Sequence, residues 1–402
     1  MPYSSRSRTS SRNFTRQPRS FQGGRPTNKS KVKKEYIHPS KFIQVAKPVS
    51  INEYTSQHTF DDFKMHDLLK RNLAAKGFKQ PSPIQDQTIP VGLDGRDVVG
   101  IANTGTGKTA AFAIPMLHRL MSDPQSRALI MAPTRELANQ IQDECRSIGR
   151  GSGLSATLII GGTAMGPQLR DLRGRPRVVI GTPGRIKDHL QQGTLDLSQF
   201  NIIVLDEFDR MLDMGFIHDI KEILSQAATE RQSFFFSATL DARVRGLIAD
   251  FSDNPVHITV KTGDTSDNVH QDIVTYTTKE DKIEKLHDLL NNEAVTKVLV
   301  FDDTKRSVEK LSQELESRGF GSDAIHGGKS QAQRQRALQK FKESRINVLV
   351  ATDVAARGID VVGVSHVINY STPQSYADYT HRIGRAGRAG NTGYALTFIE
   401  KY

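Results

Sequence analysis

An apolar run that ends in acid constrains this chain most: Ile202-Ile203-Val204-Leu205 passes directly into Asp206-Glu207-Phe208-Asp209. Such a run reads as a buried parallel strand delivering carboxylates to its C-terminal edge, where open α/β sheets bind ligands. Upstream, Val98-Val99-Gly100-Ile101 precedes Ala102-Asn103-Thr104-Gly105-Thr106-Gly107-Lys108-Thr109, the pattern of a phosphate-cradling loop between strand and helix. Its glycines let backbone N–H groups approach phosphate oxygens, Lys108 suits the β- and γ-phosphates, and Thr109 suits Mg²⁺. Asp206 can hold Mg²⁺ through water, and Glu207 can orient or deprotonate an attacking water. Taken singly, the loop is open to being a plain glycine turn and the acids a helix N-cap. Together, in this order, they imply nucleoside triphosphate hydrolysis.

Strand-like runs alternate with helical patterns from about residue 60, at 98–102, 128–131, 157–160, 178–180, 202–205 and 234–236. After a Pro-, Gly-, Asp- and Ser-rich lapse over 254–268, a second series follows at 298–301, 348–351, 366–369 and 394–399. This is the alternation of doubly wound parallel sheets, and it predicts two α/β lobes joined by a hinge. The second lobe carries His381-Arg382-Ile383-Gly384-Arg385-Ala386-Gly387-Arg388. Read alone, the cluster could be a solvated basic loop. Beside a phosphate site it suits charge neutralisation by guanidinium, and the site would be complete only when the lobes close.

The net charge of +11 is confined to one end, because residues 1–50 hold twelve Lys or Arg and one acid, Glu35. That segment is rich in Ser, Arg, Gly and Pro, with Phe14 and Phe21 interspersed, and reads as a disordered basic tail. Arginine interleaved with aromatics favours nucleic acid through phosphate neutralisation and base stacking. A solubilising tail and a transit peptide are the other readings, the latter opposed by Pro18, Gly23, Gly24 and Pro26, which spoil an amphipathic helix. One cysteine, Cys145, allows no internal disulfide and suits a reducing, cytoplasmic setting. No apolar run approaches the roughly 20 residues that span a bilayer.

In order and content these motifs resemble a DEAD-box RNA helicase of superfamily 2, over roughly residues 60–399. Phe60, Gly77-Phe78, Pro81 and Pro83-Ile84-Gln85 resemble the Q motif, which implies Phe60 stacking on adenine and Gln85 bonding its edge. Residues 102–109 resemble motif I. Pro133-Thr134-Arg135-Glu136-Leu137-Ala138, Gly161-Gly162 and Thr182-Pro183-Gly184-Arg185 resemble first-lobe motifs for the RNA backbone. Ser237-Ala238-Thr239 resembles motif III, which with Asp209 implies coupling between the ATP and RNA sites. In the second lobe His326-Gly327 with Gln331 and Arg334, and Thr352-Asp353 with Ala356-Arg357-Gly358-Ile359-Asp360, resemble further motifs. They imply RNA contacts at Gln331, Arg334 and Thr352, and a ribose contact at Asp353. Residues 381–388 resemble motif VI, with Arg385 and Arg388 in the finger positions beside His381.

The resemblance implies two tandem RecA-like lobes, each a mostly parallel sheet flanked by helices. The expected division is a tail over 1–50, an ATP-binding lobe over 51–255, a hinge over 256–269 and a C-terminal lobe over 270–402. It implies an ATP-dependent RNA helicase that uses ATP and Mg²⁺, holds RNA by its backbone without a sequence code, and unwinds short duplexes or remodels RNA–protein complexes. Ribosomal or other ribonucleoprotein complexes are the implied partners, with no membrane. An ATP-gated RNA clamp or assembly factor is the alternative. Three departures stand out. Phe208 occupies a position where the family has alanine, and overpacking there would cost roughly 1–3 kcal/mol unless neighbours shrink; compensation by neighbours is expected. Gly328 stands where relatives often carry aspartate. The sequence ends at Tyr402, where relatives commonly add a helix.

Overall fold

The computed structural model describes residues 35–46, 54–103, 105–252, 254–260, 268–356, 361, 363–387 and 392–401. Two parallel sheets form, one in each lobe, with helices against both faces. In the first, β1 (Val98–Ile101), β2 (Ala128–Met131), β3 (Ala156–Ile159), β4 (Val178–Gly181), β5 (Ile202–Leu205), β6 (Gln232–Ser237) and β7 (Val256–Thr259) lie in the order β3-β4-β2-β5-β6-β1-β7. In the second, β8 (Val269–Tyr276), β9 (Val298–Phe301), β10 (Ser322–Ile325), β11 (Val348–Ala351), β12 (His366–Asn369) and β13 (Gly393–Glu400) lie in the order β10-β11-β9-β12-β13-β8.

Short, wholly apolar strands are what a sheet covered on both faces requires. Within β6 the alternation divides three phenylalanines between two cores: Phe234 and Phe236 enter one with Phe112 and Ile130, and Phe235 the other with Leu205 and Phe208. Gly100 is needed opposite them, since a Cβ there would collide with the ring of Phe236. Strand order also assembles the site. Because β6 lies between β1 and β5, the loop after β1, the acids after β5 and Ser237 at the end of β6 emerge side by side.

Two expected boundaries need correction. Val256–Thr259, assigned to the hinge, is β7, paired in register with β1 from Val98↔Val256 to Ile101↔Thr259. The strand was obscured by its edge position, where His257 and Thr259 stay exposed. Residues 36–46, assigned to the tail, belong to the second lobe: Pro39–Phe42 forms a 3₁₀ turn, Phe42 is 1% exposed, and Gln44 bridges antiparallel to Gln271. The rest of the expected tail, 1–34 and 47–50, lies outside the described residues.

Candidate active site and nucleic-acid rim

The phosphate loop is held open by its own backbone and from behind. Gly105 (φ +82°) and Gly107 (φ +91°) take left-handed conformations that other residues adopt only at a cost. Behind them, Ser82 Oγ donates to the carbonyl of Thr106 at 2.7 Å and Gln85 Nε2 to that of Gly107 at 3.1 Å. The Ser82 N–H in turn donates to Gln85 Oε1 at 2.9 Å. Both ends of the Gln85 amide are therefore engaged inside the protein. Gln85 thus braces the loop while also lining the cleft. Phe60 is buried edge-on between Phe63 and Phe78, and Phe78 lines the cleft. Lys108 is 6% exposed, and its Nζ donates to the Ala102 carbonyl at 3.0 Å. Thr106 Oγ1 donates to the Asn103 carbonyl, tightening the turn, and Thr109 faces the cleft beside Lys108. Thr104 lies outside the described residues.

Opposite the loop, Asp206 and Glu207 are 2% and 6% exposed. Glu207 sits at φ +49°, and its N–H donates to Asp206 Oδ1 at 2.9 Å. Burial pushes the Asp206 carboxyl up to about 6; Lys108 opposes this and Glu207 adds to it. Such a carboxyl is poised for a cation. One oxygen of Asp209 accepts from the N–H groups of Ala238 and Thr239 and from Thr239 Oγ1, each at 3.1 Å. Ser237 Oγ donates to the Thr239 carbonyl at 2.6 Å. Asp209 is thus tied to the loop that follows β6. Phe208, between Glu207 and Asp209 in the chain, is fully buried, its ring 5.9 Å from that of Phe235 in a core with Val99, Met131, Met211 and Val244.

The second lobe closes this site. Arg385 lines one cleft of about 350 Å³ with Lys108, Thr109, Asp206 and Glu207. Its carrier is the helix Tyr376–Ile383, anchored by a residue that sequence reasoning left without a role. Arg382 is 2% exposed; its Nε and Nη2 donate to the two oxygens of Asp353 at 2.6 and 2.7 Å, and its Nη1 to the Ser371 carbonyl at 2.7 Å. Asp353, expected at a ribose, is the partner of this guanidinium here. His381 borders a second, smaller recess with Arg210, Phe301, Asp353 and Arg385. Thr352, 9% exposed, accepts backbone bonds from Ala355 and Ala356 and so starts a helical turn. Arg388 and residues 357–360 lie outside the described residues.

The expected RNA residues of the first lobe gather on one rim. Thr134 caps the helix Arg135–Ile148 by accepting from the Leu137 N–H, and Pro133 is buried beside it. The Arg135 guanidinium lies against Gly161 and Gly162, where any Cβ on Gly162 would collide with it. Arg185 Nη1 donates to the Thr163 carbonyl at 3.3 Å, and the carbonyl of Thr182 accepts the Arg185 N–H. Burial, then the nearby Arg334, pushes the Arg135 guanidinium below its usual range, with Glu136 opposing the shift. Gln331 and Arg334 meet Glu136 at the boundary between the lobes. Arg334 Nη2 lies 2.8 Å from Glu136 Oε2 in the first lobe, and Gln331 Nε2 donates to Glu136 Oε1 at 3.3 Å. At 7% and 5% exposure they latch the lobes together rather than face solvent. Gln335 and Asn139 extend the latch at 3.2 Å.

Comparison with known proteins agrees with this geometry. The DEAD/DEAH box helicase family profile matches residues 82–247, and that of the helicase conserved C-terminal domain matches residues 281–390. The DEAD-box ATP-dependent RNA helicase CshA of Bacillus subtilis is 44% identical over 342 residues, covering 85% of this chain and 69% of that protein. CshA of Geobacillus kaustophilus is 44% identical over 343 residues, with 85% and 73% covered. Among solved structures, Saccharomyces cerevisiae Dbp5 bound to RNA and ADP BeF3 aligns with a TM-score of 0.76 at 30% identity, over 86% of this chain and 90% of that one. A DEAD box protein from Methanococcus jannaschii aligns with a TM-score of 0.50 at 38% identity, over 85% and 93%.

Proposed function

The chain belongs to the DEAD-box family of ATP-dependent RNA helicases, and from that premise we propose that it hydrolyses ATP in the interlobe cleft to unwind short RNA duplexes or remodel RNA–protein complexes. The observation that carries the reading is the single cleft gathering Lys108, Asp206 and Glu207 from one lobe with Arg385 from the other. The better structural match to a chain bound to RNA and nucleotide, despite its lower identity, supports a closed arrangement of the lobes.

The loop N–H groups and Lys108 hold the phosphates. Among the described residues no three His, Cys, Asp or Glu side chains converge as a metal site. Mg²⁺ needs few protein ligands of its own, since waters and phosphate oxygens complete its coordination. The buried, upward-shifted Asp206 and the nearby Thr109 fit that ion, which when bound neutralises phosphate charge. Glu207 takes the proton of the attacking water, and Arg385 faces the charge that develops on the transferred group. Asp206-Glu207-Phe208-Asp209 serves as a motif II variant with both acids in place. Asp209, Ser237 and Thr239 carry the state of the nucleotide site toward the rim of Pro133, Thr134, Arg135, Gly162, Thr182 and Arg185. That rim takes RNA by its backbone, so sequence plays no part.

Residues 54–260 form the nucleotide-binding lobe and 268–401 the second lobe, with 36–46 added to it. The partners are structured RNA and ribonucleoprotein complexes, and the setting is the cytoplasm. Cys145 is in keeping with that, buried and with its thiol pushed up to about 12 by burial. Removing residues 1–34, with their ten Lys and Arg, is expected to make the salt dependence of RNA affinity shallower. The slope should fall by about 0.7 for each basic residue that reaches a phosphate; an unchanged slope would dismiss the tail as a tether. Strand displacement on a short RNA duplex tests the activity. Displacement driven by ATP supports a helicase, whereas ATP-dependent retention of RNA without displacement identifies a clamp.

A further inference from the structure

The helix that delivers Arg385 is held from two sides. On one side Arg382 is locked to Asp353 and Ser371. On the other, Tyr379 and Ile383, four residues apart and so on one face, are fully buried against Phe42 of the N-terminal segment. The rings of Phe42 and Tyr379 meet edge-on at 4.7 Å. Val269, Ala395, Ile37, Ile273 and Ile399 complete this small core.

The segment is fastened in place by more than one aromatic ring. Pro39 opens its 3₁₀ turn, and the His38 imidazole caps that turn by accepting from the Ser40 N–H. Gln44 and Gln271 exchange both backbone hydrogen bonds, at 2.9 and 2.8 Å, along the open edge of β8. The Ala46 N–H donates to His270 Nδ1 at 3.3 Å. Gln271 also binds the helix, since its Oε1 accepts from Tyr379 Oη at 2.9 Å. The turn leaving the helix is continuous with it: the Arg385 N–H donates to the Arg382 carbonyl at 3.1 Å and the Ala386 N–H to the Ile383 carbonyl at 3.0 Å. Any rotation of the helix therefore carries Arg385 with it.

We propose that residues 36–46 form a clasp on the second lobe that orients the helix Tyr376–Ile383, and that Phe42 is a positioning residue for Arg385 in ATP hydrolysis. The proposal rests on the reading of Arg385 as the guanidinium facing the nucleotide. Phe42 touches neither the cleft nor the rim. Its effect passes through Tyr379 and Ile383 to the orientation of a group that must meet charge at close range. Nucleotide affinity depends on first-lobe groups, Lys108 and the loop after β1, which Phe42 does not touch. Loss of the clasp should thus separate turnover from binding.

The test uses the full chain, with RNA-stimulated ATP turnover measured beside stoichiometric titration by a fluorescent ADP analogue. Phe42→Ala is expected to lower kcat roughly tenfold, while one nucleotide still binds per chain with affinity changed less than about twofold. Phe42→Leu, which refills most of the volume, should recover most of that kcat. If Phe42→Ala does not fold, Gln44→Pro, which removes one edge hydrogen bond, is expected to lower kcat about threefold on the same criteria. A kcat within about twofold of the unsubstituted chain would overturn the proposal. So would loss of the second lobe's thermal transition in proportion to the fall in kcat, because Phe42 would then only hold that lobe folded. Arg385→Gln separates the two readings. If it leaves turnover intact, the finger reading falls and the clasp with it; if it abolishes turnover while Phe42→Ala does not reduce it, the clasp alone falls.

Discussion

Replacing Phe208 by alanine is expected to cost the first lobe about 3–5 kcal/mol and to leave ATP turnover no faster than before. The residue stands between the two acids and Asp209, where a larger side chain than alanine would be expected to strain the site. The structure shows accommodation instead. Phe208 is completely buried, it meets Phe235 at 5.9 Å, and it shares a core with Val99, Met131, Met211 and Val244. Truncation would therefore open a cavity behind the left-handed Glu207 rather than relieve pressure on it. In a lobe of this size the loss should lower its thermal transition by roughly 10 °C. Unchanged stability with tenfold faster turnover would show that Phe208 is overpacked after all.

Glu136→Gln should disable closure more than folding. Its side chain and that of Arg334 are 2% and 8% exposed across the interlobe boundary. Withdrawing one charge of a buried pair costs about 3–5 kcal/mol, because the remaining ion is left without compensation. When the lobes separate, Arg334 can regain water, so the penalty falls on the closed state alone. RNA-stimulated kcat/KM is expected to drop roughly a hundredfold or more, each 1.4 kcal/mol being a factor of ten. The thermal transitions of the two lobes should barely move. A substituted protein with normal stimulation and an early-melting lobe would make the pair a folding contact instead.

Much of this architecture was legible because it is written in strand ends. Apolar runs at 98–102, 202–205 and 348–351 stop abruptly at Asn103, Asp206 and Thr352, and strand order then brings the first two to one edge. Strands β7 and β10 were less legible, since each mixes polar residues into a short run: His257 and Thr259 in one, Ser322 and Asp323 in the other. Residue type also reveals hydrogen-bonding capacity without revealing the partner. Gln85, Asp353, Gln331 and Arg334 were found by motif, yet each is engaged by protein, and those partners depend on tertiary and interlobe geometry. Glu136 lay unremarked inside a motif read for RNA, although a buried acid needs a counter-charge. Residues 36–46 were lost in the basic average of the N-terminal region. The local signals were Pro39 at a turn start and a large aromatic, Phe42, three residues later.

The most direct test is ATP hydrolysis by the purified chain with and without single-stranded RNA, alongside Glu207→Gln. The two-lobe mechanism predicts turnover that rises strongly with RNA and is lost in Glu207→Gln, while that variant still binds ATP and RNA together. Hydrolysis indifferent to RNA, or surviving in Glu207→Gln, would contradict it.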